Sequence, residues 1–275
     1  MRYLNLIKTI SNWPVYFAHK YNLTTTSPAV FELRGGGRIH VPREVMHEFK
    51  EVFFDEAYLC GLPLAVPEGA TVVDIGANIG AFSVFAATRF TGARVVAFEP
   101  DPVNFAALAR NAAEAAGRIT AVEEAIAGQA GTLVFHRGDA TGVSTSGSLV
   151  RSTGEKITVR AVTLEEAFAA QGIATCDLMK MDCEGAEFDI LYGASDALLA
   201  RIRQMVVEIH DQGRGDRTRA AVIAHLAGKG FQVKDGMHHL LWAWRGDLVS
   251  CIAAHAASNV ALALFVLGTG QWQYW

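Results

Sequence analysis

The sequence predicts an α/β fold built around a parallel sheet, and three observations carry that reading. From Ala70 onward, short apolar runs of strand length alternate with helical stretches, the order expected of βαβ units. Two of the runs, Val72-Val73-Asp74-Ile75 and Val95-Val96-Ala97-Phe98-Glu99, carry an acid at their C-terminal end. A turn bearing glycines at 76 and 80 joins the first of them to a helical stretch, a backbone suited to close approach of a ligand.

Taken in order, residues 1–66 read as an N-terminal extension of hairpin and helix packed on a catalytic domain at 67–275. Gly35-Gly36-Gly37 marks a hairpin turn between Ala29 to Leu33 and Arg38 to Val41. Pro42 suits the first turn of a helix on which Val45, Phe49, Val52 and Phe53 recur at helical spacing. Strands are expected at Thr71 to Ile75, Arg94 to Glu99, Ile119 to Ile126, Leu178 to Asp182 and Gln204 to Ile209. Helices are expected at Ile79 to Arg89, Pro102 to Ala116, Leu164 to Ala170, Glu187 to Leu199 and Arg217 to Lys229. Thr132 to His136 and Lys156 to Val162 form an inserted hairpin, joined by a Gly-, Ser- and Thr-rich loop from Gly138 to Gly154. Phe231 to Lys234 and Val260 to Phe265 supply further strands, and no internal repeat is visible.

Composition narrows the function. With 51% hydrophobic and 19% charged residues the chain has the apolar content to bury a core. A formal net charge of -4 gives no general attraction to nucleic acid or to an anionic membrane. The scattered Cys60, Cys176, Cys183 and Cys251 make no CxxC pair, so neither a zinc site nor a redox motif is indicated, and a reducing cytoplasm fits. Met1 to Ile10 is too short and interrupted for a signal peptide. The apolar stretch Leu248 to Leu267 contains Ser250, His255, Ser258 and Asn259 and lacks a basic flank, so it reads as a helix and buried strand rather than a membrane span. No feature of the sequence sets an oligomeric state.

The turn Asp74-Ile75-Gly76-Ala77-Asn78-Ile79-Gly80 is organised for a small ligand. The helix N-terminus beyond it presents free N–H groups and partial positive charge, suited to the carboxylate of a methionine moiety, while Asp74 answers an amino group and a sulfonium. Glu99, 25 residues after Asp74, stands where a carboxylate accepts the hydroxyls of a ribose. NAD-binding folds use the same device, but Asn78 occupies the second glycine position of GxGxxG, which leaves a dinucleotide pyrophosphate poorly served.

Three runs, Asp74 to Gly80, then Phe98-Glu99-Pro100-Asp101-Pro102, then Lys180-Met181-Asp182-Cys183-Glu184-Gly185-Ala186-Glu187, resemble successive signatures of the FkbM family of class I methyltransferases. Val207-Glu208-Ile209-His210 and Ser258 to Ala263 are weaker echoes, and the likeness spans roughly residues 45–265. The resemblance implies a Rossmann-like class I methyltransferase fold, a seven-stranded, mostly parallel sheet with an antiparallel last strand, which the echo at Ser258 to Ala263 places at Val260 to Phe265. It also implies S-adenosylmethionine as cofactor, with Asp74, Gly76, Ala77, Asn78 and Gly80 at the methionine part and Glu99 and Pro100 at the ribose. Glu124, Ala125 and Ile126 fall at the adenine. Cys183 replaces the family's usual apolar residue, and the 138–154 loop has no counterpart.

The resemblance further implies methylation of a hydroxyl on a sugar, glycan or natural-product small molecule. An alcohol becomes a good nucleophile only as its proton leaves, so Asp182, Glu184 and His210 at the fourth and fifth strand ends are the candidate acid or base groups. Asp182 and Glu187 also read as a cap and a first-turn dipole partner of the helix near Gly185, and His210 as a structural histidine. As an alternative, Asp182, Glu184 and Glu208 gather Mg²⁺, which prefers oxygen ligands. His225, His238 and His239 show no metal-like spacing with acids. The run Asp182-Cys183-Glu184-Gly185 stands where nucleic-acid N-methyltransferases resemble Asn-Pro-Pro-Tyr, which argues against a nucleic-acid substrate. The rival readings are a catalytically idle S-adenosylmethionine-binding or interaction domain and a nicotinamide oxidoreductase.

Overall fold

In the computed structural model the described residues are 2–63, 65–137, 143, 155–236 and 239–246. Two helices, α1 (Arg2–Thr9) and α2 (Pro14–Lys20), precede the hairpin of β1 (Ala29–Glu32) and β2 (Arg38–Val41). A 3₁₀ turn at Arg43–Val45 leads into α3 (Met46–Phe53). Pro42 therefore stands before this turn rather than inside the helix, since it lacks the N–H and its extended backbone sets the entry. The apolar face read from the sequence is buried: Phe49 stacks on Phe31 at 4.4 Å and Phe53 meets Phe85 edge-on at 5.4 Å. Each such aromatic pair adds about 0.5–1.5 kcal/mol beyond its area burial.

The central elements are β3 (Thr71–Ile75), α4 (Ala81–Arg89), β4 (Arg94–Phe98), α5 (Pro102–Ala113) and β5 (Ile119–Val122). Asp101 caps α5 by accepting from the N–H of Val103 at 2.8 Å, and Pro102 opens its first turn. The run expected as one strand from Ile119 to Ile126 breaks at Glu123-Glu124. Its second part, β6 (Ala125–Ile126), leaves the main sheet for a three-stranded one with β7 (Gly131–Arg137) and β8 (Glu155–Val162). β7 and β8 pair antiparallel, as the inserted hairpin requires. Most of the 138–154 loop lies outside the described residues.

There follow α6 (Leu164–Ala170), β9 (Leu178–Met181), α7 (Glu187–Gly193), α8 (Asp196–Leu199), β10 (Gln204–Glu208), α9 (Arg219–Gly228), β11 (Gln232–Asp235) and β12 (Leu240–Trp244). Thr163 and Glu166 close a capping box on α6. The single helix expected over Glu187 to Leu199 is two, because Ser195 adopts extended backbone and caps a new start.

The seven-stranded sheet runs β11-β12-β10-β9-β3-β4-β5, parallel except for β12. This is the mostly parallel sheet with one antiparallel strand that the sequence predicts. The antiparallel position expected of Val260 to Phe265 is held by Leu240–Trp244, whose unbroken apolar run gives no period to distinguish strand from helix. Residues 260–265 lie outside the described ones. Among the described residues no helix is long and apolar enough to cross a membrane, and Leu248 to Leu267 is not among them.

Side chains alternate across each strand. Val72, Val95, Ala97, Leu178 and Val206 face a core shared with α1, α3, α4 and the β1–β2 hairpin. Val73, Ile75, Val96, Met179, Met181 and Val207 face the core formed with α6, α7 and α9. Leu6, Ile10, Phe31, Phe49 and Phe53 of the N-terminal region thus pack into the same core as the sheet. Met1–Trp244 forms one unit; of the remaining unit, Arg245–Trp275, only residues 245 and 246 are described.

Candidate active site

Register brings the site together. Ile75 is level with Phe98 on one side and Met181 on the other, and Met181 is level with Val207. The next residue of each strand, Gly76, Glu99, Asp182 and Glu208, therefore emerges along one carboxyl edge. The strand order reverses between β3 and β9, the place where open α/β sheets bind ligands.

Gly76 needs its missing side chain: its φ is +71°, and a Cβ there would run into the carbonyl oxygen of Asp182. Gly80, at φ +81°, precedes α4 and offers no capping side chain, leaving the first-turn N–H groups of a nine-residue helix for a ligand anion. A Cβ on Gly80 would approach Leu108 Cδ1 to 2.6 Å.

A cleft opens above this turn. Gly76, Ala77, Asn78, Glu99, Pro100, Glu124, Ala125, Asp182 and Glu184, all singled out from the sequence, line it. Ile126 and Phe135 of the small sheet close one side, while Glu48, Val52 and Tyr58 of the N-terminal region close another. Asp74 and Gly80 stand behind the lining. The Asp74 carboxylate is fully buried, accepts from Ser83 Oγ at 2.6 Å and lies 3.5 Å from Lys180 Nζ. Burial raises its pKa, and Lys180 opposes the rise.

Lys180 is a charge inside a buried strand, and its partners explain how it is tolerated. Nζ donates to the Gly76 carbonyl at 2.7 Å and lies 3.7 Å from Asp182 Oδ2. Burial alone would lower its pKa, but Asp74, Asp182 and Glu48 outweigh it and hold the proton on. Glu99 accepts from the backbone N–H of Asn78 at 2.8 Å and of Asp101 at 2.9 Å. Burial pushes its pKa up to about 7 against those two donors. Glu124 pairs with Arg160 at 3.2 Å.

The acceptor-side acids surround a histidine. His210 Nδ1 lies 2.9 Å from Glu187 Oε1, and its Nε2 lies 3.7 Å from Glu184 and 4.0 Å from Glu208. Glu187 is fully buried and also accepts from the N–H groups of Cys183 and Gly185. It does begin α7, but its carboxylate orients the imidazole rather than serving the helix alone. Burial would lower the pKa of His210, yet the hydrogen bond and charge of Glu187, helped by Asp182 and Glu184, raise it to about 9. Burial and Asp182 together push Glu208 up to about 7.

Asp182, Glu208 and His210 each offer a ligand atom within 4.8 Å of the others. Two carboxylates and an imidazole suit a transition metal better than Mg²⁺, which favours oxygen alone. Glu184, expected as a Mg²⁺ ligand, is outside this set.

Sequence reasoning missed Glu48 and the partnership of Glu187 with His210. Glu48 sits on a helix that reads as packing on the main domain or, alternatively, covering a ligand, with no residue of it singled out, and Glu187 lies 23 residues from His210.

A family model described as the Methyltransferase FkbM domain matches residues 74–233. The chain is 36% identical over 223 residues to the 31-O-demethyl-FK506 methyltransferase FkbM of Streptomyces tacrolimicus, covering 69% of this chain and 83% of that protein. It is 29% identical to the methyltransferase sdnD of Sordaria araneosa, covering 77% and 90%. It is 28% identical to the hexuronic acid methyltransferase AglP of Haloferax volcanii, covering 50% and 54%.

Proposed function

The chain belongs to the FkbM family of methyltransferases, and from that premise we propose that it O-methylates a hydroxyl of a sugar, glycan or natural-product small molecule, with His210 as general base. The observation that carries this reading is the buried Glu187 carboxylate, which fixes His210 beside the acids at the edge of the cofactor cleft.

S-adenosylmethionine supplies an electrophilic methyl group when bound. The residues present fit it: an uncapped helix N-terminus for its carboxylate, acids for its positive charges, and Glu99 with spare acceptor capacity for ribose hydroxyls. Gly76, Ala77 and Asn78 would hold the methionine part, with Asp74 bracing the turn through Ser83 and Lys180. Ala125, Ile126 and Phe135 offer apolar contact for the base.

The chain's own contribution to the chemical step is alignment and proton removal. Methyl transfer is an in-line displacement, so placing the acceptor supplies much of the rate. Glu187 holds Nδ1 in the protonated tautomer, which leaves Nε2 to accept the hydroxyl proton and Glu187 to stabilise the imidazolium that forms. Asp182, Glu184 and Glu208 add negative potential that makes the proton easier to accept. The names of relatives support the acceptor class: one carries an O-demethyl substrate in its name, another a hexuronic acid.

The test is transfer of a labelled methyl group to a panel of hydroxylated acceptors. His210→Ala should lower turnover roughly 10²- to 10⁴-fold with little change in cofactor affinity. A product methylated on nitrogen or carbon would sink the oxygen assignment, and full activity in Asp182→Asn, Glu184→Gln and His210→Ala alike would sink the base. Loss of activity on chelation would move Asp182, Glu208 and His210 to metal binding. Cofactor binding without transfer to any acceptor would favour an idle binding domain.

A further inference from the structure

The N-terminal region does more than cover the sheet. Among the charged residues lining the cleft, five are acids and one, Lys180, is a cation. That cation is already answered by the Gly76 carbonyl and by the carboxylates of Asp74 and Asp182. Glu124 is likewise engaged, with Arg160. Glu48 differs from both. It reaches the cleft from α3, is partly buried, and accepts from Asn78 Nδ2 at 2.9 Å, within the turn on which the methionine end would rest.

We propose that Glu48 is a cofactor-binding residue, its carboxylate receiving the α-ammonium of S-adenosylmethionine while the cofactor's carboxylate takes the N-terminus of α4. The assignment rests on the cofactor reading above and adds to it a residue from outside the matched family domain, which begins at residue 74. Geometry supplies the position, because Asn78 fixes Glu48 over the turn. Charge supplies the sign, because the unanswered charge at this end of the cleft is negative and an ammonium complements it. In the free protein, burial and the nearby Asp182 raise the pKa of Glu48 to about 8, with Lys180 opposing and Glu99 and Glu51 adding to the rise. An arriving ammonium favours the ionised carboxylate and lowers that pKa, so binding near neutral pH draws a proton off Glu48.

The experiment compares three ligands by calorimetry on the full chain and on Glu48→Gln. S-adenosylhomocysteine keeps both ends of the amino acid, its decarboxylated analogue keeps only the amine, and 5′-methylthioadenosine has neither. Glutamine retains the acceptor for Asn78 Nδ2, so the turn should hold. Loss of a charge-assisted hydrogen bond predicts that Glu48→Gln weakens the first two ligands about 10- to 100-fold and leaves the third unchanged. Equal weakening of all three would show a structural role and overturn the proposal. Weakening of S-adenosylhomocysteine alone would assign Glu48 to the carboxylate instead and overturn it too. Unchanged affinity for all three overturns this inference while leaving the cofactor reading intact, whereas an unaltered protein that binds none of them defeats both.

Discussion

The two halves of the carboxyl edge solve different problems with the same residue type. At the tips of β3 and β4, Asp74 and Glu99 are buried and held by Ser83 Oγ and by backbone N–H groups. At the tips of β9 and β10, Asp182, Glu208 and His210 are partly exposed, and their neighbours are other titratable side chains. The first half is a rigid cradle whose acids are fixed by the fold. In the second, His210 and Glu208 face other side chains, and a change in the charge of one is felt directly by the next. On the function proposed above, binding and chemistry would be separated along one edge, with Lys180 between Asp74 and Asp182 as the link.

The sharpest way to break this contrast is at the point where the halves touch. Gly76→Ala would force a Cβ against the Asp182 carbonyl at a left-handed φ. We expect a stability loss on the order of 4 kcal/mol, left-handed backbone strain of about 1–3 kcal/mol added to an overpacking cost of similar size, together with loss of cofactor binding. Denaturant titration matching the unaltered protein would show that the tips are not packed as described.

A second change tests whether the cradle's rigidity extends to the small sheet. Arg137, at the end of β7, donates to Asp101 Oδ2 at 2.7 Å, and both side chains are buried. Arg137→Ala strands the Asp101 carboxylate and should cost about 3–5 kcal/mol. If the melting temperature moved no more than for Arg160→Ala, whose side chain is largely exposed, the hairpin would be anchored elsewhere.

The smallest effect bears on the titrating half. His210 titrates at about 9 with Glu187 beside it, against 6.5 without partners. A raised histidine pKa stabilises the fold fully below its unfolded value, and that contribution is lost as pH rises through about 9. For catalysis the sign reverses, since only the neutral ring accepts a proton, so turnover should climb with pH toward about 9. Glu187→Gln should slide that limb down by roughly one unit or more, worth about 1.4 kcal/mol per unit. A pH–rate profile unmoved by this substitution would detach His210 from the base role.

The cradle was legible in the sequence because it is local: a strand, a glycine turn and a helix start fit within Val72 to Arg89, and the motif's chemistry follows from backbone constraints. The sheet was legible for the same reason, apart from its antiparallel strand. Leu240–Trp244 carries no alternation, so its apolar run does not declare itself a strand, and Val260 to Phe265 lies outside the described residues. The titrating half was legible only as a set of candidates. Nothing near His210 in sequence reveals that Glu187 is its partner, and although the helix bearing Glu48 also reads as a cover over a ligand, its pattern singles out no residue for that role. Such contacts depend on which elements pack, and residue spacing does not encode that.

The wall formed by α3 also carries a consequence for the order in which the chain acquires its shape. Phe53 is sheltered by Phe85, which leaves the ribosome about thirty residues later, some 2–6 s at ordinary elongation rates. Until then the aromatic face of α3 can be covered only from earlier elements, Phe31 of β1 and the apolar side chains of α1 among them. The N-terminal segment is therefore made first and seated late, after β3 and α4 exist to receive it. Glu48 reaches the cleft only with that docking, so a nascent chain has its glycine turn before it has the wall that completes the pocket.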